Sequence, residues 1–433
     1  MDNFRIMKLL HNLHKSGFFR DTLILSGGTA IAQVLPFLFY PILGRIFTVE
    51  EFGLLATITA VTSIMAVVAS GKYESAILVA KNKNEAASLA LLALLVSALF
   101  LIVSYLILQT TLANALCRWV AEPMLKKILW ICPISAWAII IFTVYNEWCV
   151  REKHFKSLSL NKAINSGAIV GAKTLLGYVH IFGHGLVIGD TIGRAISAII
   201  CIMRAMARDG KTFMVVRWKD ITAAAKKYAD FPKFTMPGQL LNTIALNFPI
   251  LMLAAYFDKA EVGHFSMAIN IFAIPLTVIS GAVRDVFRQR ANEQIITTGN
   301  CRALFKKVAL LLTLISVGAA MVFVWFLPQL TTVFLGPQWH TCGVYAQILC
   351  GAMVLSFIAN SLSGMFIVAN KLRHLFFWQI YFVVTTIAAI IVGGLIYKSM
   401  IVTVILFSVL RATAYLLSIV MTYHYTIMDV DKT

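Results

Sequence analysis

The 433 residues are 60% hydrophobic and only 13% charged, with 29 Phe and 13 Tyr. That composition excludes a water-soluble globule, which needs far more charge to cover its surface, and excludes a disordered chain, which does not carry so many aromatics. The net charge of +18 would fit a nucleic-acid binder if the basic residues were clustered, but they lie between hydrophobic runs, so the solvent is a lipid bilayer and the charge reports orientation.

The first 21 residues, MDNFRIMKLLHNLHKSGFFRD, are basic and amphipathic, and no small-residue cleavage pattern follows the first apolar run. They are expected to lie along the cytoplasmic membrane surface as an uncleaved segment. Uncharged or nearly uncharged runs of a bilayer-spanning length then recur: 22–44, 52–71, 86–108, 128–146, 163–181, 186–203, 234–257, 262–283, two crossings within the stretch 308–370 that carries no Asp, Glu, Lys or Arg, 375–397 and 401–423. The turn between the ninth and tenth crossings is expected near LPQLTTVFLGPQW. The chain thus reads as an all-α polytopic membrane protein of twelve helices.

An even number of crossings puts both termini on one side. With the N-terminus inside, the internal segments carry 28 of the 37 Lys and Arg, the external loops 6, and the spans 3, which places both termini in the cytoplasm by the positive-inside rule. Residues 204–233 form the longest internal loop and divide the chain at its middle, giving an N-terminal bundle over 22–203, a basic linker over 204–233, a C-terminal bundle over 234–424 and a tail over 425–433. YPILGRIFTVEEFG and FPILMLAAYFDKAEVG align the two halves at an offset of 210, matching Gly53 with Gly263 and Gly71 with Gly281. A duplication with an even number of spans per half predicts parallel repeats.

No GxSxG, HExxH or P-loop occurs, and the spacing of the nine His gives no helical metal site; His180 and His184 stand four apart but in a turn-like FGHG context. The seven Cys, among them Cys117 in the external loop 109–127, are scattered without a CxxC pair and read as small hydrophobes. The expectation is a protein that is not an enzyme, with no catalytic residue, metal or cofactor.

The informative residues are charges inside spans, each costly unless it faces a cavity or a partner. Asp190 and Arg194 are four apart and can pair on one helix. Lys173 and Arg411 show no local partner in the sequence and are read as lining a cavity. At span ends stand Arg45, Lys72, Glu74, Arg284 and Asp285; Lys72 and Glu74 lie opposite Arg284 and Asp285 in the repeat alignment, which suggests crossed ion pairs that close the inner side. Pro41 and Pro249 occupy matching places in the first helix of each half and read as hinges. Three basic residues against one acid inside the spans predict a net positive cavity and an anionic cargo.

The stretch SGGTAIAQVLPFLFYPILGRIFTVEEFGLLATI followed by ASGKYESAILVAKNKNEA, and in the second half PGQLLNTIALNFPILMLAAYFDKAEVGHFSMAINIFAIPLTVISGAVRDVFRQRANE, resemble the corresponding regions of Wzx-type oligosaccharide flippases of the polysaccharide transporter family. The resemblance implies a MATE-like fold of two pseudo-symmetric six-helix bundles around a central cavity. It also implies transport of undecaprenyl-pyrophosphate-linked oligosaccharide units across the bacterial inner membrane for O-antigen or capsule assembly, with H+ or Na+ as candidate coupling ions and a glycan polymerase and chain-length regulator as candidate partners. By the same resemblance Arg45, Lys72 and Arg284 are substrate-binding positions, while Lys173, Arg194 and Arg411 rest on the charge argument, and Glu74, Asp190 and Asp285 are read as gate or coupling residues. A cation-coupled small-molecule exporter of the same fold, and a membrane glycan polymerase or acyltransferase, are the alternatives; an exporter of organic cations needs an acidic cavity, a polymerase a large external loop and an acyltransferase an intramembrane catalytic His.

Overall fold

The computed structural model describes residues 17–108, 129–179, 183–369 and 371–427. Residues 1–16 of the expected surface segment, the external loop 109–127 with Cys117, His180 and residues 428–433 of the tail lie outside the described residues. The described elements are helices: α1 Gly17–Ile46, α2 Val49–Ala69, α3 Lys83–Leu108, α4 Ile131–Arg151, α5 Phe155–Tyr178, α6 Gly185–Val215, α7 Trp218–Lys227, α8 Met236–Tyr256, α9 Lys259–Thr298, α10 Arg302–Phe323, α11 Leu327–Leu335, α12 His340–Leu362, α13 Leu372–Ile391 and α14 Met400–His424, with short turns between them.

Ten of these are long and apolar enough to cross a membrane. The other two expected crossings fall on α1, whose qualifying apolar run is the shorter Ile31–Ile46, and on α5, where Asn161, Lys162, Asn165, Ser166 and Lys173 lower the hydropathy. The ladder of i to i−4 hydrogen bonds inside each helix removes the backbone polar groups from contact with lipid.

Several boundaries differ from the sequence reading. The sixth span does not end at Met203, because α6 continues to Val215 with non-helical backbone at Asp209 (φ −121°, ψ 15°). The basic segment expected as a loop is therefore largely helical, since it also holds α7, capped by Asp220 accepting from the Arg217 backbone at 3.0 Å. The eighth span does not stop at Val283: α9 runs for 40 residues, about 60 Å and twice the hydrocarbon thickness, so Arg284, Arg288 and Arg290 lie on its extension. The turn between spans nine and ten is a helix of its own, α11, closed by Gly336 at φ 124°.

The chain forms two compact units, 1–46 with 57–251 and 47–56 with 252–433. This division differs from the expected boundary at 204–233: most of α8 groups with the first unit, and the start of α2 with the second. In the first unit α5 packs on α1 and α6, and α4 on α3 and α6. Trp148, Ile77, Leu89 and Leu158 are among the buried side chains of its core, and Ile221 and Ala224 of α7 join them. In the second unit α12 is central, packed against α9, α10, α11 and α14, while α13 pairs with α14. The six described cysteines are free and buried.

The duplication is visible in the second unit. A Cβ on Gly53 would lie 1.9 Å from the Lys259 carbonyl oxygen, and one on Gly263 would lie 2.1 Å from the Val49 carbonyl oxygen. The glycines matched at an offset of 210 thus face each other's helix start, the reciprocity that a two-fold relation between repeats produces. The caps match as well: Thr48 Oγ1 accepts from the Glu51 amide at 3.4 Å, and Asp258 Oδ1 accepts from the Glu261 amide at 3.0 Å.

Candidate functional site

In the first unit the motif GDTIG, with glycines at 189 and 193, starts the inward face of α6. A Cβ at Gly189 would come within 2.8 Å of Lys173 Cα, and one at Gly193 within 2.3 Å of Ile169 Cα, so α5 and α6 approach backbone to backbone as small residues four apart permit. That approach brings Lys173 Nζ to 2.7 Å from Asp190 Oδ1, while Arg194 Nε lies 2.5 Å from Asp190 Oδ2. The expectation that Lys173 has no partner is corrected: its partner is on the neighbouring helix. Asp190 is buried and shared by two cations, so the triad carries one net positive charge within two expected spans.

Beside it, a cavity of about 250 Å³ is lined by Ala32 and Pro36 of α1, Phe142 of α4, and Lys162, Asn165 and Ser166 of α5. Pro36 has no amide hydrogen, which deprives the Ala32 carbonyl of its helical donor; the Ser166 hydroxyl takes that place at 2.7 Å. Lys162 and Asn165 were not singled out in the sequence, because they stand at the edge of a span, yet the polar face of α5 was readable there. Pro41 and Pro249 both lie inside continuous helices.

Lys72 follows Gly71, and both adopt left-handed backbone (φ 61° and 58°), which turns the chain sharply after α2. The turn aims Lys72 Nζ at Glu74 Oε1, 3.1 Å away. Glu74 is 1% exposed, and apart from this ion pair its oxygens accept no well-aligned hydrogen bond. Arg284, on the second unit, is 4.0 Å from Asp285 and largely exposed. Each of these two cations meets an acid of its own segment. Arg45 is exposed at the end of α1.

A second polar network on the first unit was not anticipated. Lys83 Nζ contacts Asp209 Oδ1 at 2.7 Å, and Trp148 Nε1 donates to Asp209 Oδ2 at 3.0 Å, which accounts for the irregular backbone at that position. Lys227 of α7 pairs with Glu85, and this hydrogen bond pushes the Lys227 ammonium above its ordinary value.

In the second unit Arg411 stands near the middle of α14. Its guanidinium lies 4.6 Å from the Phe382 ring centroid and 4.3 Å from that of Phe407, and its buried Nε has no hydrogen-bond partner. It makes no ion pair among the described residues. Cation–π stacking offsets part of the desolvation of such a group and leaves its positive charge uncompensated. Within the first unit the structure brings together Lys173, Asp190 and Arg194, and Lys72 with Glu74; within the second it brings Arg284 to Asp285, apart from Arg411.

Residues 42–344 match the sequence model of a family described as polysaccharide biosynthesis protein. The chain belongs to that family. No curated protein sequence matches it. Among solved structures, the lipid II flippase MurJ in an inward closed conformation is similar with a TM-score of 0.69 at 14% identity, over 93% of this chain and 87% of that one. A multidrug resistance MATE family transporter of the MOP superfamily, inward-facing, gives 0.64 at 15% identity over 93% of each chain. A MOP superfamily transporter from Pyrococcus furiosus, described as having a binding pocket of reversed polarity, gives 0.58 at 14% identity over 93% and 94%. These matches show a MATE-like fold for this family member.

Proposed function

We propose that this member of the polysaccharide biosynthesis protein family flips undecaprenyl-pyrophosphate-linked oligosaccharide repeat units from the inner to the outer leaflet of the bacterial inner membrane, by alternating access, for O-antigen or capsule assembly. The observation that carries this reading is positive charge within the expected spans that no carboxylate balances: one net charge on Lys173, Asp190 and Arg194 and the guanidinium of Arg411, which makes no ion pair among the described residues. Such sites, poorly screened, favour a pyrophosphate or sugar acid over an organic cation. The largely apolar cavity beside α5 carries the polar groups of Lys162, Asn165 and Ser166, which could hydrogen-bond cargo hydroxyls. Arg45, Lys72 and Arg284 are proposed to guide the headgroup, Glu74, Asp190 and Asp285 to gate or couple, and Pro41 and Pro249 to bend their helices. H+ or Na+ is proposed as the driving ion, and a glycan polymerase and chain-length regulator as partners.

The reading is tested by deleting the protein and assaying on which leaflet lipid-linked glycan accumulates. Accumulation facing the cytoplasm is expected; an unchanged distribution, with intact surface glycan, would refute it. The MATE neighbour favours a small-molecule exporter as the second reading, which predicts drug sensitivity of the deletion strain with normal surface glycan.

A further inference from the structure

The inner part of the second unit holds a groove of about 500 Å³, lined by Phe305, Ala309, Leu310 and Thr313 of α10 and by Ile419 and Val420 of α14, with Lys306 and Tyr423 at one end. Leu310 and Val420 are more than half exposed, so in a membrane this groove opens to lipid. At its polar end two cations gather on one ring: the Arg302 guanidinium lies 4.8 Å and Lys306 Nζ 5.9 Å from the Tyr423 centroid. Tyr423 is held in turn by Phe305, at 5.7 Å between centroids.

These two cations make no ion pair among the described residues, the first turn of α10 carries no acid, and the enclosed Nε of Arg302 has no hydrogen-bond partner. From Arg302 to Thr313 the groove follows α10 for about 16 Å, close to the roughly 15 Å depth of one leaflet's hydrocarbon. A polar end with two unpaired cations and an apolar trough one leaflet deep match a lipid that carries its negative charge at the headgroup.

We propose that the groove between α10 and α14 is a binding site for an anionic phospholipid, with the phosphate at Arg302 and Lys306 and an acyl chain along Phe305, Leu310, Thr313 and Val420. The depth selects an acyl chain over the undecaprenyl chain of the proposed cargo, which exceeds one leaflet. The site is independent of the transport reading: it requires only that the chain span a bilayer.

The test uses full-length protein in phosphatidylcholine nanodiscs doped with phosphatidylglycerol, followed by native mass spectrometry of retained lipid. Wild type is expected to retain phosphatidylglycerol selectively. Each cation near an anionic surface contributes about fivefold, so Arg302→Gln with Lys306→Gln should lower retention roughly 25-fold. Thr313→Trp, which keeps both cations and fills the trough, should also lose it, and equal unfolding midpoints in detergent verify that the variants fold. Unchanged retention in either variant would overturn the site. Displacement of phosphatidylglycerol by an equimolar prenyl pyrophosphate would overturn it too, by assigning the groove to transported lipid.

Discussion

Asp190 neutralises one of two cations that would otherwise stand in hydrocarbon, with oxygens 2.7 and 2.5 Å from Lys173 and Arg194. Removing the shared partner of a buried ion network strands its cations, at about 3–5 kcal/mol. Asp190→Asn should therefore lower the unfolding midpoint in detergent sharply, and Lys173→Met in the same chain should recover part of the loss, because one stranded charge is then absent; full additivity of the two substitutions in a thermal melt would disprove the shared contact. Arg411 behaves differently, since its partners are the rings of Phe382 and Phe407. Lysine keeps the charge but not the planar stack, and exposed to desolvated cation–π contacts differ by about 1 kcal/mol. Arg411→Lys is expected to retain flipping within roughly tenfold of wild type in reconstituted vesicles and Arg411→Ala to abolish it; equal transport by Arg411→Ala at normal expression would remove Arg411 from the site. The sequence showed all four of these charges and the Asp190–Arg194 pair on one helix, but not the contact of Lys173 with Asp190. A contact between Lys173 and Asp190 crosses two helices and depends on how closely they approach.

Helices α1 and α5 are joined through a defect in one and a hydroxyl on the other. Pro36 leaves the Ala32 carbonyl without its intrahelical donor, and Ser166 supplies one at 2.7 Å. Ser166→Ala should cost about 1–3 kcal/mol, the penalty of an unsatisfied buried acceptor. In a Pro36→Ala background the restored amide satisfies Ala32, so the same substitution should cost far less. A double-mutant cycle on detergent-solubilised protein measures this, and an equal cost in both backgrounds would rule out the compensation. The proline was readable as a local break in α1, whereas its repair by a residue on another helix was not. Element ends divide in the same way. The caps at Thr48 and Asp258 and the left-handed Gly71 were local and legible, because a cap or turn depends on a few neighbouring residues. The continuation of α6 past Met203 and of α9 past Val283 was not, because hydropathy marks where a helix leaves the membrane rather than where its backbone hydrogen bonding stops.

For the whole molecule, the asymmetry of 28 internal against 6 external basic residues predicts α7 inside and the turn between α13 and α14 outside. The native cysteines that are described are buried, so in a Cys117→Ser background introduced ones report cleanly: Lys398→Cys is expected to react with an impermeant maleimide on intact cells, and Lys219→Cys only after permeabilisation. The reverse pattern would invert the topology. Composition, span periodicity, charge placement and the offset of 210 between Gly53 and Gly263 were sufficient by themselves for a duplicated, multi-pass α-helical protein, because each is a property of chain segments and the bilayer imposes the same requirements on every segment. Tertiary structure alone decided that Gly53 and Gly263 meet the start of each other's helices, that Lys173 is paired while Arg411 is not, that Lys72 turns to Glu74 in its own segment, and that Lys162 and Asn165 line a cavity. These are distances between segments far apart in the chain, fixed by which helix faces pack closely enough to exclude lipid, and no local pattern of residues contains them.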